Sequence, residues 1–228
     1  MNAEDVDLEG LGAIPDPFAE DVRATLPRRS LPVATRAPTR SRAVAERWAA
    51  LGAALLWNAA WVLFDRRPDL GRLPTSHLAI GLGIPLAAAA LALAASVRRG
   101  PHGLGEPIPR LAALAIAAPA LFVAGAWFAA EPNVAGHPFW RAALGCVTTT
   151  AVLAVVPLIA AGWAYRHAFV GSSWRTATLG VACGALAAAT MSIACSNGSL
   201  LHVLVGHGSM MLALAILGLL VVRKLTVA

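Results

Sequence analysis

Cys146 and Cys195, followed closely by His202 and His207, are the side chains of this 228-residue chain best suited to chemistry. Two thiols brought together can pair as a disulfide, and thiols with imidazoles make a ligand set for a soft metal ion. The spacing matches no compact zinc signature such as two C-x-x-C pairs. His77 and His137 are further imidazoles within the same reach, and His77, His202 or His207 could instead ligate a haem. The third cysteine, Cys183, stands apart and reads as a small buried apolar residue.

The elements that must position these groups are apolar. The chain is 58% hydrophobic and only 13% charged, against about 25% charged for an ordinary globular domain. Six stretches carry no Asp, Glu, Lys or Arg in their interiors: Trp48–Phe64, His77–Val97, Leu111–Ala130, Ala142–Tyr165, Thr176–Ala194 and His202–Val222. About 20 such residues span a bilayer core as a helix. The expected fold is therefore an all-α integral membrane protein with six transmembrane helices, residues 48–228, preceded by a short, mostly disordered arm, residues 1–47. The first apolar stretch comes too late, behind an acidic beginning, to be a secretory signal peptide.

Of the 18 lysines and arginines, only Arg66, Arg67, Arg72 and Arg141 fall in the loops that would be outside if the N-terminus is inside. The positive-inside rule then puts both termini in the cytoplasm. It also explains the net charge of +6 by membrane orientation, with no direct contact to nucleic acid. In this frame Cys146 sits about one turn inside the outer end of the fourth helix, and Cys195 ends the fifth at the same face. His202 and His207 open the sixth helix there, while Cys183 lies nearer mid-membrane. Pro85, Pro119 and Pro157 fall inside the second, third and fourth spans and predict kinks. Pumps and proton-coupled transporters use charged residues within their spans, so a small-solute transporter is disfavoured. The polar groups that remain include Asn58, Thr148–Thr150, Thr190, Ser192 and Ser209, whose hydroxyls can bond carbonyls of their own helices.

The arm is too short to bury a core, and its charge is segregated. Glu4 through Asp21 are acidic, and from Arg23 onward the charge is basic up to Glu46 and Arg47. Asp16 as a cap, Pro17 at the first helical position, and Phe18, Val22 and Leu26 at four-residue spacing predict a short amphipathic helix. Such a helix is marginal alone and suits folding on a basic, apolar-grooved cytoplasmic partner. The arginine run behind it, extended by Pro27, Pro32 and Pro38, suits anionic lipid headgroups of the bilayer.

The stretch Gly145–Gly218 resembles the NrsF-like and CarR-like six-span membrane anti-sigma factors of bacteria. It carries Cys146, then Pro157, a basic turn at Arg166–Trp174, a small-residue fifth span, Cys195 and Gly206–His207–Gly208. The family has a cysteine at the start of this stretch, a second at about the separation that parts Cys146 from Cys195, and an aromatic–histidine or similar pair opening the last helix. Asp21–Val22–Arg23–Ala24–Thr25–Leu26–Pro27 is similar to the segment before the family's first span. Two departures stand out: Cys195 is followed by Ser196–Asn197–Gly198–Ser199 where the family has proline and acidic residues, and Gly206 stands where an aromatic is common. The His-x3-Cys-x2-Cys pattern of another anti-sigma class is absent from the arm.

The resemblance implies a membrane-anchored anti-sigma factor of the bacterial inner membrane that is not an enzyme and carries no cofactor. Its partner would be an extracytoplasmic-function sigma factor, held by the arm through Phe18, Val22 and Leu26. Cys146, Cys195 and His207 would sense the stress, light or redox signal that releases it. A membrane redox or haem- or metal-binding protein is the alternative.

Overall fold

Long runs of alanine and leucine, the residues that lose least on entering a helix, fold here into helices of membrane-crossing length. The computed structural model describes residues 40–97, 106–130, 139–165 and 172–227. Among them are α1 (Arg40–Phe64), α2 (Thr75–Val97), α3 (Ile108–Phe128), α4 (Phe139–Tyr165) and α5 (Ser173–Ala194). A short turn, Leu200–His202, a π-helical segment, Val203–Gly208, and α6, Ser209–Val227, then follow without a break. Six helices are long and apolar enough to cross a membrane, and no strand occurs among the described residues. The shortest of the first five, α3, has 21 residues; at 1.5 Å each it is ~32 Å long, enough for a hydrocarbon core of about 30 Å. Pro85, Pro119 and Pro157 lie inside α2, α3 and α4 as the apolar pattern predicts. The first helix begins at Arg40, ahead of the apolar stretch that starts at Trp48, so Glu46 and Arg47 belong to its opening turns.

The bundle is built around α5. In its apolar window 78% of the residues are buried, against 17–33% in the other five. It packs on α6, α2, α4, α3 and, more lightly, α1. Small side chains make this possible: a Cβ at Gly184 would lie 2.7 Å from Met211 Cα, and one at Gly180 would lie 2.5 Å from the Leu214 carbonyl oxygen. The two glycines, one turn apart, let the α6 backbone approach closely, as small-xxx-small faces do between apolar helices. Bulky apolar side chains such as Leu56, Phe64, Ile116, Trp127, Trp140 and Ile159 point outward, the reverse of a water-soluble protein and the arrangement expected where lipid is the solvent.

Three buried hydroxyls tie the helices together. Thr190 Oγ1 donates to Asn58 Oδ1 at 2.7 Å, joining α5 to α1. Thr178 Oγ1 reaches the Leu111 carbonyl of α3 at 3.1 Å. Thr150 Oγ1 of α4 reaches the Gly206 carbonyl in the π segment at 3.0 Å and its own Cys146 carbonyl at 2.6 Å.

Candidate functional site

One end of the bundle, where α4 begins, α5 ends and the π segment opens the last span, gathers the sulfur and imidazole groups. Cys146 lies two turns into α4. Cys195 caps the C-terminus of α5 in an extended conformation, its N–H still bonded to the Met191 carbonyl at 2.8 Å. The chain then turns through Ser196–Ser199, where the Ser199 N–H donates to Asn197 Oδ1 at 3.1 Å. This brings His202 back beneath Cys195.

The π segment sets the second imidazole. Residues five apart in an α-helix point about 140° away from each other around the axis. A π turn closes i→i+5 hydrogen bonds and swings residue i+5 back over residue i. His202 and His207 are five apart, and across this segment their rings meet edge to face with centroids 5.5 Å apart. Glycine is required beside them: a Cβ at Gly206 would lie 2.9 Å from Cys146 Cβ, so no larger residue fits without moving that thiol.

The result is a four-residue cluster. The sulfurs of Cys146 and Cys195 are 3.6 Å apart, and Cys195 Sγ is 3.3 Å from His202 Nε2. One ligand atom from each of Cys146, Cys195, His202 and His207 lies within 4.8 Å of all the others. Both imidazoles are buried, His202 at 0% and His207 at 2% exposure. Among the described residues, His202 Nδ1 and both ring nitrogens of His207 have no hydrogen-bond partner. Such orphaned buried groups are costly and mark the cluster as a place for a ligand or a charge. The Cys146 thiol beside it, then the His202 and His207 imidazoles, hold the Cys195 thiol below its ordinary pKa range, against the opposing effect of burial.

Two chemistries suit this geometry. A tetrahedral ion at usual metal–sulfur and metal–nitrogen lengths needs ligand–ligand edges of about 3.3–3.8 Å, matching the two short distances here, and two thiolates with two imidazoles favour a soft cation. The sulfurs could also close to the ~2.0 Å of a disulfide with a small shift of α4 against the α5 cap. Beside the cluster lies a cavity of about 60 Å³ lined by Arg67, His77, Phe122, Cys195 and His207, among others. It is far below the roughly 300 Å³ lower range of organic-ligand sites, so it admits a small ion or oxidant and has no room for a haem macrocycle.

A strap from the α1–α2 connection holds the cluster's outer edge. The Arg67 N–H donates to the Ile193 carbonyl at 3.0 Å, and Arg67 Nη2 approaches the Ser196 carbonyl at 3.5 Å, on either side of Cys195. The buried guanidinium is held by both oxygens of Asp69, at 2.7 and 2.8 Å. That hydrogen-bonded guanidinium in turn keeps the Asp69 carboxyl below its usual pKa.

Of the residues singled out in the sequence, Cys146, Cys195 and His207 come together. His202, placed at the same face but not chosen as a sensing residue, is the imidazole nearest to Cys195. The regular 3.6-residue period hid this pairing; the glycines flanking His207 were the available signal for an irregular turn. His77 lines the adjoining cavity, and Cys183 is buried mid-helix away from the cluster. Phe18, Val22 and Leu26 of the arm, and His137, lie outside the described residues.

No curated protein and no solved structure matches the chain. The family described as NrsF, negative regulator of sigma F, matches residues 26–226. The match takes in the four residues of the cluster and the apolar spans of all six long helices, and with it the chain belongs to the NrsF family of negative regulators of a sigma factor.

Proposed function

We propose that this protein is a membrane-anchored anti-sigma factor, without enzymatic activity, whose Cys146–Cys195–His202–His207 cluster is its signal receiver. The observation that carries the reading is the cluster itself: two thiols and two buried imidazoles, with three ring nitrogens left without a hydrogen-bond partner among the described residues, at one end of an apolar bundle in a family of sigma-factor regulators. The six spans cross the bacterial inner membrane with both termini in the cytoplasm, as the arginine distribution favours. The arm, with Phe18, Val22 and Leu26 as its apolar contacts, sequesters an extracytoplasmic-function sigma factor. Tethering at the membrane raises the local concentration, so a modest interface is enough.

The stimulus is a soft cation or an oxidant arriving from the periplasmic side. A cation would bridge α4, the α5 cap and the π segment. An oxidant would take two electrons from the thiols, with loss of two protons, and join Cys146 to Cys195. Either event pulls the same elements together and alters the packing of α5, on which the rest of the bundle depends.

The test uses full-length protein in membranes with the candidate sigma factor co-expressed. Capture in the resting state, and release on adding Cu(I) or a thiol oxidant, are expected. Cys146→Ser and Cys195→Ser should capture but not release. Failure of the wild-type protein to retain any sigma factor would overturn the proposal, and release undiminished in both serine variants would remove the cluster's role.

A further inference from the structure

The half of the bundle opposite the cysteine–histidine cluster holds a second feature, which the regulatory reading does not use. Helices α1 and α2 do not pack extensively on one another: α1 leans on α4, and α2 on α3 and α5. Between them runs an open groove of about 710 Å³, floored by α5 at Cys183 and flanked by Pro157 of α4. Its floor is the most enclosed helix of the bundle, and Leu179, Ala182 and Cys183 on it are still buried.

The groove has a definite length and polarity. It runs along α1 from Arg47 to Leu55 and along α2 from Leu86 to Ala94, which at 1.5 Å per residue is ~12 Å, most of the roughly 15 Å depth of one leaflet's hydrocarbon. Its volume lies within the about 300–1,000 Å³ of organic-ligand sites. Its walls are apolar side chains, many of them alanine, and Arg47 is the sole charged group lining it among the described residues. Arg47 stands at the α1 end, next to the exposed Trp48, the pairing of cation and aromatic ring that marks a headgroup level. A slot that is apolar along one leaflet and cationic at its rim matches a single class of membrane molecule.

We infer that this groove is a binding site for an anionic phospholipid, one acyl chain lying between α1 and α2 over Cys183 and the phosphate at Arg47. The segment around Phe18, Val22 and Leu26 would be a poor occupant, since Glu20 and Asp21 would enter an apolar slot. The occupant acts as a wedge against α1, the helix that carries the arm. The inference rests on the proposed orientation only for naming the cytoplasmic leaflet as the lipid's source.

Full-length protein extracted in mild detergent is examined by native mass spectrometry after exchange with phosphatidylglycerol or phosphatidylcholine. The expected result is one retained phospholipid per chain, with phosphatidylglycerol preferred. Ala90→Trp, at an exposed position on the groove wall, fills the slot and should abolish retention. Arg47→Gln should keep a lipid but lower the preference about fivefold. With Cys183 as the sole cysteine, N-ethylmaleimide labelling should fall when phosphatidylglycerol is restored. Helix content by circular dichroism establishes that each variant is folded. No retained lipid, retention unchanged by Ala90→Trp, a dimer built through this face, or cross-linking of Cys183 to residues 1–39 would each overturn the inference. Loss of the lipid with sigma-factor capture intact sinks this inference alone; a retained lipid without capture sinks the regulatory reading and leaves the groove assigned.

Discussion

The Thr190 hydroxyl donates to Asn58 Oδ1 across 2.7 Å, and this buried bond joins α1, which carries the arm, to α5 little more than a turn before Cys195. Asn58 is fixed from its other side, its Nδ2 donating to the Ala54 carbonyl at 2.9 Å. With the Arg67 strap at the end of α1, the helix is pinned to α5 at two levels, both near the thiols. A displacement of the Cys195 cap therefore has a direct mechanical route to α1.

Thr190→Val removes the donor while keeping the shape. Interhelical bonds of this type are worth about 0.6 to 1.7 kcal/mol, so thermal unfolding in detergent should begin a few degrees lower. If α1 is the relay, the variant still represses at rest but needs more stimulus to release its sigma factor. A sigma-dependent reporter titrated with oxidant measures this. An unchanged dose–response with a lowered melting temperature would leave the bond a purely structural role.

Gly206 offers a sharper probe of the cluster, because its Cα hydrogen faces Cys146. Gly206→Ala forces the Cys146 side chain or the π segment to move, an overpacking cost of about 1–3 kcal/mol. Oxidant-driven cross-linking of Cys146 to Cys195, read as a mobility shift on non-reducing gels, should fall well below wild type. Thr148→Val is the matched control: Thr148 bonds only carbonyls of its own helix and is exposed, so cross-linking should be unchanged.

Much of the frame was legible in the chain and the rest was not, for physical reasons. Uncharged runs of some 20 residues announce helices, because length and polarity alone decide that outcome in lipid. The convergence of Cys146 and Cys195 followed from placing both at one level of the bundle. The centrality of α5 did not follow, since its window has a mean hydropathy of 1.7, lower than four of the other five. Burial there comes from small residues such as Gly180 and Gly184 meeting a neighbouring backbone, a property of packing that no hydropathy measure carries. His202 was placed with His207 at that face, but the helix period gave no reason to pair the two rings, because only a π turn brings His202 beneath His207. Arg67 entered the sequence reading only as one of four cations in the outer loops, and becomes a strap on Cys195 once the loop is folded back.

The Cys195 thiol predicts a pH signature. Its pKa is lowered by the Cys146 thiol and then by His202 and His207, so the thiolate persists to lower pH than in a free cysteine. Alkylation of Cys195 by iodoacetamide, followed on its own peptide by mass spectrometry, should fall less steeply as pH drops from about 8 to 6 than that of an ordinary thiol, which slows about tenfold per unit. Cys146→Ala deletes the principal donor, raises the pKa and restores the steep fall. A steep fall already in the wild-type protein would contradict the assignment of Cys195 as the reactive sulfur.

The strap makes a second, independent pH prediction. Asp69 holds the Arg67 guanidinium with both oxygens, and its carboxyl is lowered below the usual value by that bond. A carboxyl lowered on folding adds stability that is complete above the unfolded pKa of about 3.9 and disappears as pH falls through the lower folded value. Because the Asp69 side chain is 41% exposed, solvent screening holds the effect to at most about 1 kcal/mol. Asp69→Asn should therefore melt slightly lower than wild type at pH 7, and the two should converge as the buffer is taken below about pH 4. The larger consequence is local: Arg67 loses its clamp and relaxes from the Ile193 and Ser196 carbonyls, leaving the Cys195 cap less restrained. Maleimide labelling of Cys195 at pH 7 should rise in Asp69→Asn, and equal labelling in the two proteins would show that the strap does not govern access to the cluster.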